Sequence, residues 1–225
     1  MKTMDHIYYR DGLKAPAAMR ALLAAREGMF QLFMDQTRPT KDFKIIDIGA
    51  SEIENEGANF LEKKYPWPKN ITCAGLGHGR QIVSANPAVS FVQIKAGKPL
   101  PFNDKQFDIA YSNAVLEHVG DATARGAFIS EHMRIARNVF LAFPNRWFPV
   151  EHHTGLPLLH YSPGLFRFAI KRTSLREWAD PSVVEFLSAK QIFDEWPSSK
   201  KPIVYHSGIL FPPFSSNVCL VWRED

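Results

Sequence analysis

Short apolar runs alternate with amphipathic segments along most of the chain. Five runs rich in β-branched and aromatic residues cover residues 44–49, 71–76, 89–94, 107–113 and 138–143. Runs of this length are typical of strands that are buried on both faces of a parallel sheet. We therefore expect these five segments to form the centre of one sheet.

The segments between the runs predict helices. Residues 16–34 place charged residues at intervals among Ala, Leu and Met, which indicates an amphipathic helix that packs on the sheet. Further helices are predicted within residues 57–66, 121–137 and 188–196. The last of these begins with a capping box, Ser188-x-x-Gln191. Strands alternating with helices predict a doubly wound α/β domain, whose ligand binds at the carboxyl ends of the strands.

The last two apolar runs follow one another without a helix between them. Residues 202–207 and 217–222 are separated by a loop alone, which indicates an antiparallel pair at one edge of the sheet. We therefore predict a helical addition at residues 1–41 and a single α/β domain at residues 42–225.

Composition narrows the class of protein. The chain has 225 residues, 45% of them apolar, which suits one domain with a substantial core. Cys73 and Cys219 lie in separate apolar runs, as expected for buried thiols in a reducing cytoplasm. The formal net charge is +4, but the basic residues are interleaved with acids, so no nucleic-acid partner is expected. Neither a signal-peptide core nor a membrane-length apolar stretch occurs, and we expect a cytoplasmic protein.

Two segments carry candidate chemistry. In IIDIGAS, residues 45–51, a strand ends in Asp47-x-Gly49, which lets the backbone turn under a ligand with the following amides free to bind it. In LPFNDKQFDIAYSNAVLEHV, residues 100–119, a Leu-Pro-Phe turn precedes a strand that ends at Ser112 and Asn113, and Leu-Glu-His-Val follows. The order of these features is more specific than any one of them.

With these motifs, residues 42–145 resemble the class I S-adenosylmethionine-dependent methyltransferases, particularly the broad type 11 group. The resemblance implies a Rossmann-like sheet of seven strands, mostly parallel, with an antiparallel C-terminal pair. It also implies S-adenosyl-L-methionine as the cofactor and S-adenosyl-L-homocysteine as its product. The implied cofactor contacts are Asp47, Gly49, Ala50, Ser51, Leu76, Ala96, Gly97, Leu100, Ser112, Asn113 and Ala114, and His118 is implied beside the methyl donor.

Three departures from the family pattern affect the expected cofactor site. Ser51 and Ile53 stand where the family prefers glycines. The second strand ends without an acid for the ribose hydroxyls, and residues 95–98 hold no acid for the adenine amino group. Three outcomes stay open: weaker cofactor binding, contacts shifted onto another residue, or a methyltransferase-like binding protein without catalysis. The residues that could take over these contacts are Glu52, Glu54 and Asn55.

A narrower resemblance covers FPNRWFPVEHHTGLPLLHYSP, residues 143–163. It is similar to a subgroup whose fifth strand ends in Pro-Asn-Arg-Trp and continues through Pro-x-Glu-x-His-Thr, with members that often have surface-polysaccharide or other glycan functions. We expect a lid at about residues 145–187, with Trp147, Phe148 and Tyr161 sheltering the site. A base would come from Glu151, His152, His153 or His160, and the catalytic candidates are His118, Glu151 and His152.

The expected reaction is methylation of a small-molecule or glycan-type hydroxyl. Methyl transfer from a sulfonium needs donor and acceptor in line, and a hydroxyl acceptor must also lose a proton. No metal site is expected, because the adjacent His152 and His153 would face opposite sides of a strand and no suitable His-x-x-x-His spacing occurs. A nicotinamide-dependent oxidoreductase is disfavoured because the Gly-x-Gly-x-x-Gly turn is absent.

Overall fold

A computed structural model of the chain describes residues 16–211 and 214–224, with side chains from residue 19 onward. Residues 1–15 of the predicted N-terminal addition lie outside the described residues. The helices are α1 (Pro16–Thr37), α2 (Phe60–Lys64), α3 (Arg80–Ala85), α4 (Ala122–Ile135), α5 (Pro163–Ile170) and α6 (Ala189–Glu195). The strands are β1 (Ile45–Ile48), β2 (Ile71–Gly75), β3 (Ser90–Gln93), β4 (Phe107–Asn113), β5 (Ala136–Pro144), β6 (Ile203–Phe211) and β7 (Phe214–Arg223).

The strands form one seven-stranded sheet in the order β3-β2-β1-β4-β5-β7-β6. The first five strands of this order are parallel, and β7 runs antiparallel to both of its neighbours, β5 and β6. The predicted fold, a mostly parallel Rossmann-like sheet with an antiparallel C-terminal pair, is confirmed. Strand order reverses between β1 and β4, so the crevice for a ligand opens at their carboxyl ends.

Aromatic packing fixes α1 against one face of the sheet. Phe33 of α1 is fully buried and meets Tyr111 and Phe140 edge-on, with ring centroids 5.3 and 5.4 Å away. The rings of Tyr111 and Phe140 stack on neighbouring strands with centroids 5.5 Å apart. Aromatic pairs of this geometry stabilise a core beyond the area that they bury. The predicted amphipathic helix therefore closes this face of the sheet.

The other face is covered by α4 and α6, and a side-chain cap begins each of these helices. Asp121 accepts a hydrogen bond from the Ala124 amide over 2.9 Å, and Ser188 accepts one from the Gln191 amide over 3.2 Å. Half of the predicted capping box is thus present. The Gln191 side chain does not complete it, because its amide donates to Glu195 on the next turn.

Residues 145–187 form an irregular segment between β5 and α6. It has a small core of its own, made by Phe166, Ile170, Trp178 and Val184. Backbone hydrogen bonds fasten it to the rest of the molecule, from the Asn145 amide to the Ser216 carbonyl and from the Glu185 amide to the Glu117 carbonyl. Over the described ranges, the helices are too short or too polar to cross a membrane.

Candidate functional site

A cavity of about 390 Å³ opens at the carboxyl ends of β1 and β4. It lies between α1, the start of the irregular segment, and the β6–β7 hairpin, and its size falls within the range of small-molecule pockets, roughly 300–1,000 Å³. The structure brings together eight of the predicted site residues in its wall: Asp47, Gly49, Ala50, Ser51, Asn113, Ala114, Glu151 and His152. The position of this cavity agrees with the crevice expected from the strand order.

The other predicted site residues lie elsewhere. Leu76 is 42% exposed, and Ala96 and Gly97 are also exposed, so the region implied for adenine is open surface. Leu100 is buried in a core cluster, and Ser112 donates a hydrogen bond over 2.7 Å to the Ile48 carbonyl. Leu100, Ser112 and His118 do not line the cavity, although the His118 ring lies 5.4 Å from that of His153 in the cavity wall.

Gly49 makes the sharp turn that the sequence predicts. Its φ is +99°, and a Cβ placed on it would lie 2.2 Å from a methyl group of Val115. Only glycine fits a backbone that is both left-handed and this close to a neighbour.

The amides of this turn are engaged within the protein. The amides of Gly49 and Ala50 both donate to the Ala74 carbonyl, over 2.8 and 3.3 Å, and the Ser51 amide donates to the side chain of Asn59 over 2.9 Å. The expectation that they are free to bind a ligand is therefore wrong, because the turn uses them to join the end of β1 to its neighbours.

Asn59 holds the glycine-poor loop that follows Gly49. Its amide group accepts from the Ser51 amide and donates to the Ser51 carbonyl over 2.9 Å, and it also donates to Glu54. Two bonds to one residue from a buried side chain fix the loop where the family uses flexible glycines. Asn59 was not predicted as a site residue because it lies outside the IIDIGAS motif, residues 45–51.

Glu52 lies across the carboxyl end of β2. Its carboxylate accepts a hydrogen bond from the Gly79 amide, and a Cβ on Gly77 would lie 2.4 Å from the Glu52 Cγ. A carboxylate therefore stands beside the end of β2, although the strand itself supplies none. This geometry supports the alternative in which contacts shift onto Glu52.

Two buried polar atoms in residues of the cavity wall have no hydrogen-bond partner. They are Nε of Arg26, on α1, and Oδ1 of Asn113, at the end of β4. Arg26 is also the only Lys or Arg among the described residues that line the cavity. One atom is a donor and the other an acceptor, so the pair fits a ligand with a carboxylate at one point and an N–H or O–H group at another. The methionine part of S-adenosyl-L-methionine has this character.

Asp47 is a buried acid at the base of the cavity. Burial raises its pKa well above the ordinary value, and the charge of Glu62 and a hydrogen bond shared with it raise the pKa further. The positive charge of the Arg26 guanidinium acts to lower this pKa. Glu62 also accepts a hydrogen bond from the Cys73 thiol over 3.3 Å. The Asp47 carboxyl therefore favours its protonated form, with Glu62 as its neighbour.

Phe148 and Val150 supply the apolar side of the cavity within the predicted lid. Trp147 and Tyr161 do not line the cavity. Trp147 is 49% exposed, and its carbonyl accepts a hydrogen bond from the Tyr161 hydroxyl over 2.6 Å. Of the three aromatic residues predicted to shelter the site, Phe148 is the one in the wall.

Glu151 is buried, and both of its carboxylate oxygens are occupied. One accepts from the ring and the backbone of His153, over 2.7 and 3.0 Å, and the other accepts from the amide and hydroxyl of Thr154. Burial would raise the Glu151 pKa, but His153 and these hydrogen bonds outweigh it and lower the pKa to about 2. The arrangement suits a residue that positions His153 better than one that accepts a proton.

Three histidines near the cavity differ in the direction of their pKa shifts. His152 is accessible from the cavity, and the loss of hydration around it lowers its pKa to about 4. Burial lowers the pKa of His118 to about 3. Burial also acts to lower the pKa of His153, but the Glu151 carboxylate outweighs this and raises it. His152 is therefore a neutral ring at neutral pH, and it lines the cavity.

The fold is that of the S-adenosylmethionine-dependent methyltransferases. Solved structures with this fold include the methyltransferase domain of a bacterial Hen1 (TM-score 0.56, 18% identity, covering 90% of this chain and 99% of the other). A methyltransferase from Methanosarcina mazei gives a TM-score of 0.55 with 17% identity, covering 85% of this chain and 96% of the other. The PH0226 protein from Pyrococcus horikoshii gives a TM-score of 0.61 with 13% identity, covering 98% of this chain and 96% of the other.

One family model matches part of the chain. Residues 66–139 match the family described as a methyltransferase domain, and no curated protein matches the sequence. Together the fold and the family match support S-adenosyl-L-methionine as the cofactor.

Proposed function

We propose that this protein transfers the methyl group of S-adenosyl-L-methionine to a hydroxyl of a small-molecule or glycan-type acceptor. The observation that carries the proposal is the cavity at the ends of β1 and β4, where Arg26 and Asn113 have buried polar atoms without partners. A cleft at this point of a doubly wound sheet is where such folds bind ligands.

The chain offers a matched group for each part of the methionine end of the cofactor. The Arg26 guanidinium would bind the carboxylate, and Asn113 would accept from the ammonium or a ribose hydroxyl. Gly49 lets the backbone approach the ligand closely. Glu52, beside the end of β2, would take the ribose contact for which that strand has no acid.

On the acceptor side, the chain's task is alignment and removal of a proton. When bound, the cofactor supplies an electrophilic methyl group that an acceptor oxygen displaces in line. The neutral ring of His152 faces the cavity and would accept the hydroxyl proton. Phe148 and Val150 would exclude water from the same space. Glu151 acts indirectly, by holding the turn that carries both histidines.

The glycan-type acceptor and the lid come from the resemblance of residues 143–163 to a subgroup with glycan functions. We propose residues 145–187 as that lid. Its separate core and its two backbone attachments, at Asn145 and Glu185, support a segment that can adjust over the cavity.

A second candidate function is binding without catalysis. The exposed Leu76 and Gly97 leave the implied adenine region open, and the amides of the Gly49 turn are engaged. Both features would weaken cofactor binding, and this alternative predicts a protein that binds S-adenosyl-L-homocysteine without turnover.

Incubation with cofactor carrying a labelled methyl group, together with glycan, lipid-linked and small-molecule fractions of a cell extract, tests the two functions. We expect label in a hydroxyl-bearing fraction and release of S-adenosyl-L-homocysteine. His152→Asn should lower the rate about 100-fold, the usual worth of a general base, with S-adenosyl-L-homocysteine affinity retained. Lys190→Ala, at an exposed position on α6, is the control and should leave the rate unchanged. Binding without any labelled fraction would favour the alternative.

A further inference from the structure

A cluster of three potential metal ligands lies behind the cavity wall. Glu117 and His118 belong to a 3₁₀ turn that follows β4, and His153 belongs to the turn held by Glu151 after β5. One potential ligand atom from each residue lies within 4.8 Å of the others. His153 also lines the cavity, so the cluster adjoins the candidate functional site.

Hydrogen bonds orient both imidazoles of this cluster. Nδ1 of His118 lies 2.5 Å from the Val183 carbonyl, and Nδ1 of His153 lies 2.7 Å from a Glu151 carboxylate oxygen. Both partners can only accept, so in the neutral rings Nδ1 is the donor nitrogen and Nε2 carries the lone pair. Metal-binding histidines commonly have this arrangement, in which a carbonyl or carboxylate fixes one nitrogen and the metal takes the other.

The buried side chain of Glu117 indicates that a cation binds at this cluster. Its side chain is 1% exposed, and neither of its carboxylate oxygens has a hydrogen-bond partner. Nε2 of His118 lies 3.6 Å from one of these oxygens. Burying a carboxylate without hydrogen bonds costs several kcal/mol unless the group takes up a proton or a cation compensates its charge. The other buried carboxylate in this region, Glu151, has both of its oxygens occupied by neighbours.

We propose that Glu117, His118 and His153 bind one divalent transition-metal ion of the Zn²⁺ type. Two imidazoles and a carboxylate form an established ligand set for zinc and its neighbours, and three protein ligands leave a position for an exchangeable one. Ligand atoms of a tetrahedral site at usual bond lengths lie roughly 3.3 Å apart, so side-chain movements of about 1 Å close this cluster around an ion. Glu151 is the outer carboxylate that orients His153.

The position of this ion has a consequence that rests on the proposed function. Because His153 lines the cavity, an ion bound to it would lie next to the space proposed for the acceptor. A hydroxyl bound there would lose its proton more readily, as water does on zinc. Metal binding itself does not depend on methyl transfer, so the two can be tested apart.

The test is metal titration of the tag-free protein after chelation. We expect one equivalent of Zn²⁺ by calorimetry, and with Co²⁺ the visible absorption of a low-symmetry site. Glu117→Gln keeps the shape of the side chain and should weaken binding at least 100-fold, as should His153→Ala. Glu151→Gln should weaken it 10- to 100-fold, the usual effect of an outer partner.

His152→Ala is the matched control because it removes the adjacent imidazole, which lies outside the cluster. It should leave metal affinity unchanged. Absence of stoichiometric binding by the wild-type protein would overturn the proposal, as would equal weakening by His152→Ala and His153→Ala. Titration of the same metal-free protein with S-adenosyl-L-homocysteine separates the outcomes: cofactor binding without metal binding rejects the metal site alone, and metal binding without cofactor binding rejects the proposed function alone.

Discussion

Among the single residues of the site, Gly49 is the one whose position excludes any side chain. Its positive φ and its distance to Val115 both exclude a side chain. Because the turn also joins β1 to the Ala74 carbonyl, strain there would affect the core as well as the cavity.

Gly49→Ala should therefore lower the free energy of unfolding by about 2–4 kcal/mol, the sum of backbone strain and overpacking. Chemical denaturation with far-ultraviolet circular dichroism measures it. Gly126→Ala in α4 is the control, because an added Cβ there meets nothing within 4 Å and alanine favours a helix. If Gly49→Ala lowers the free energy of unfolding no more than Gly126→Ala does, the turn at Gly49 does not require glycine.

Asp47 should make stability depend on pH. Its folded-state pKa lies above the ordinary value of 3.8, so its contribution to stability is present below pH 3.8 and is lost as pH rises through the folded-state pKa. Asp47→Asn resembles the protonated form. Its stability relative to wild type should be higher at pH 8 than at pH 5 by about 1 kcal/mol or more.

Denaturation curves at the two pH values measure this difference. Asp42→Asn, at an exposed position, removes the same formal charge and serves as the control. If the Asp47→Asn difference from wild type is the same at both pH values, the buried acid does not hold its proton. Loss of S-adenosyl-L-homocysteine affinity in the same variant would show that Asp47 stabilises the ligand at a cost to the fold.

Local sequence patterns found some residues of the site and missed others. Asp47, Gly49 and Asn113 were predictable because each ends an apolar strand, and parallel strands meet at one edge. Arg26 was missed as a site residue because it reaches the cavity from α1, whose position over the sheet no local motif encodes. The cluster of Glu117, His118 and His153 was missed because its members come from two turns, and the spacing rule applied to the histidines concerns one element only.

At the scale of elements, the strands and the long helices were largely predictable. The run at residues 107–113 matches β4 in full, whereas β6 extends from Ile203 to Phe211, well beyond the predicted residues 202–207. The extension carries exposed Leu210 and Phe211 beside a register shift between Ser207 and Leu210. Irregular pairing of this kind breaks the alternation on which strand prediction depends.

Arg125 joins three elements. It is 2% exposed, it binds both oxygens of Glu195 on α6 over 2.8 Å, and it binds Glu185 of the irregular segment over 2.5 Å. From its place on α4 it therefore connects the body of the domain to the proposed lid.

Arg125→Met should lower the free energy of unfolding by about 3–5 kcal/mol, because two carboxylates lose their buried partner. Thermal denaturation measures the change. Lys190→Ala, which removes an exposed ion pair with Asp194 on the same α6, should cost about 0.5 kcal/mol or less. Similar losses in the two variants would show that the network contributes no more than a surface pair.

At the scale of the whole molecule, the strand order defines where a ligand can bind. Alternation of strands and helices predicted the class of fold, and the lack of a helix between the last two apolar runs predicted the antiparallel pair of β6 and β7. Neither predicted that the cavity would be closed by α1 and the β6–β7 hairpin, because those contacts depend on packing between distant segments. The outcome is a cavity at the ends of β1 and β4, with the region implied for adenine on open surface.

Calorimetric titration of the wild-type protein and of Arg26→Met with S-adenosyl-L-homocysteine tests the central claim that the cavity between β1 and β4 is the cofactor site. We predict one binding site in the wild-type protein and at least tenfold weaker binding in the variant, since the ligand carboxylate loses its charged interaction with the guanidinium. Absence of binding by the folded wild-type protein, or equal affinity in Arg26→Met, would contradict it.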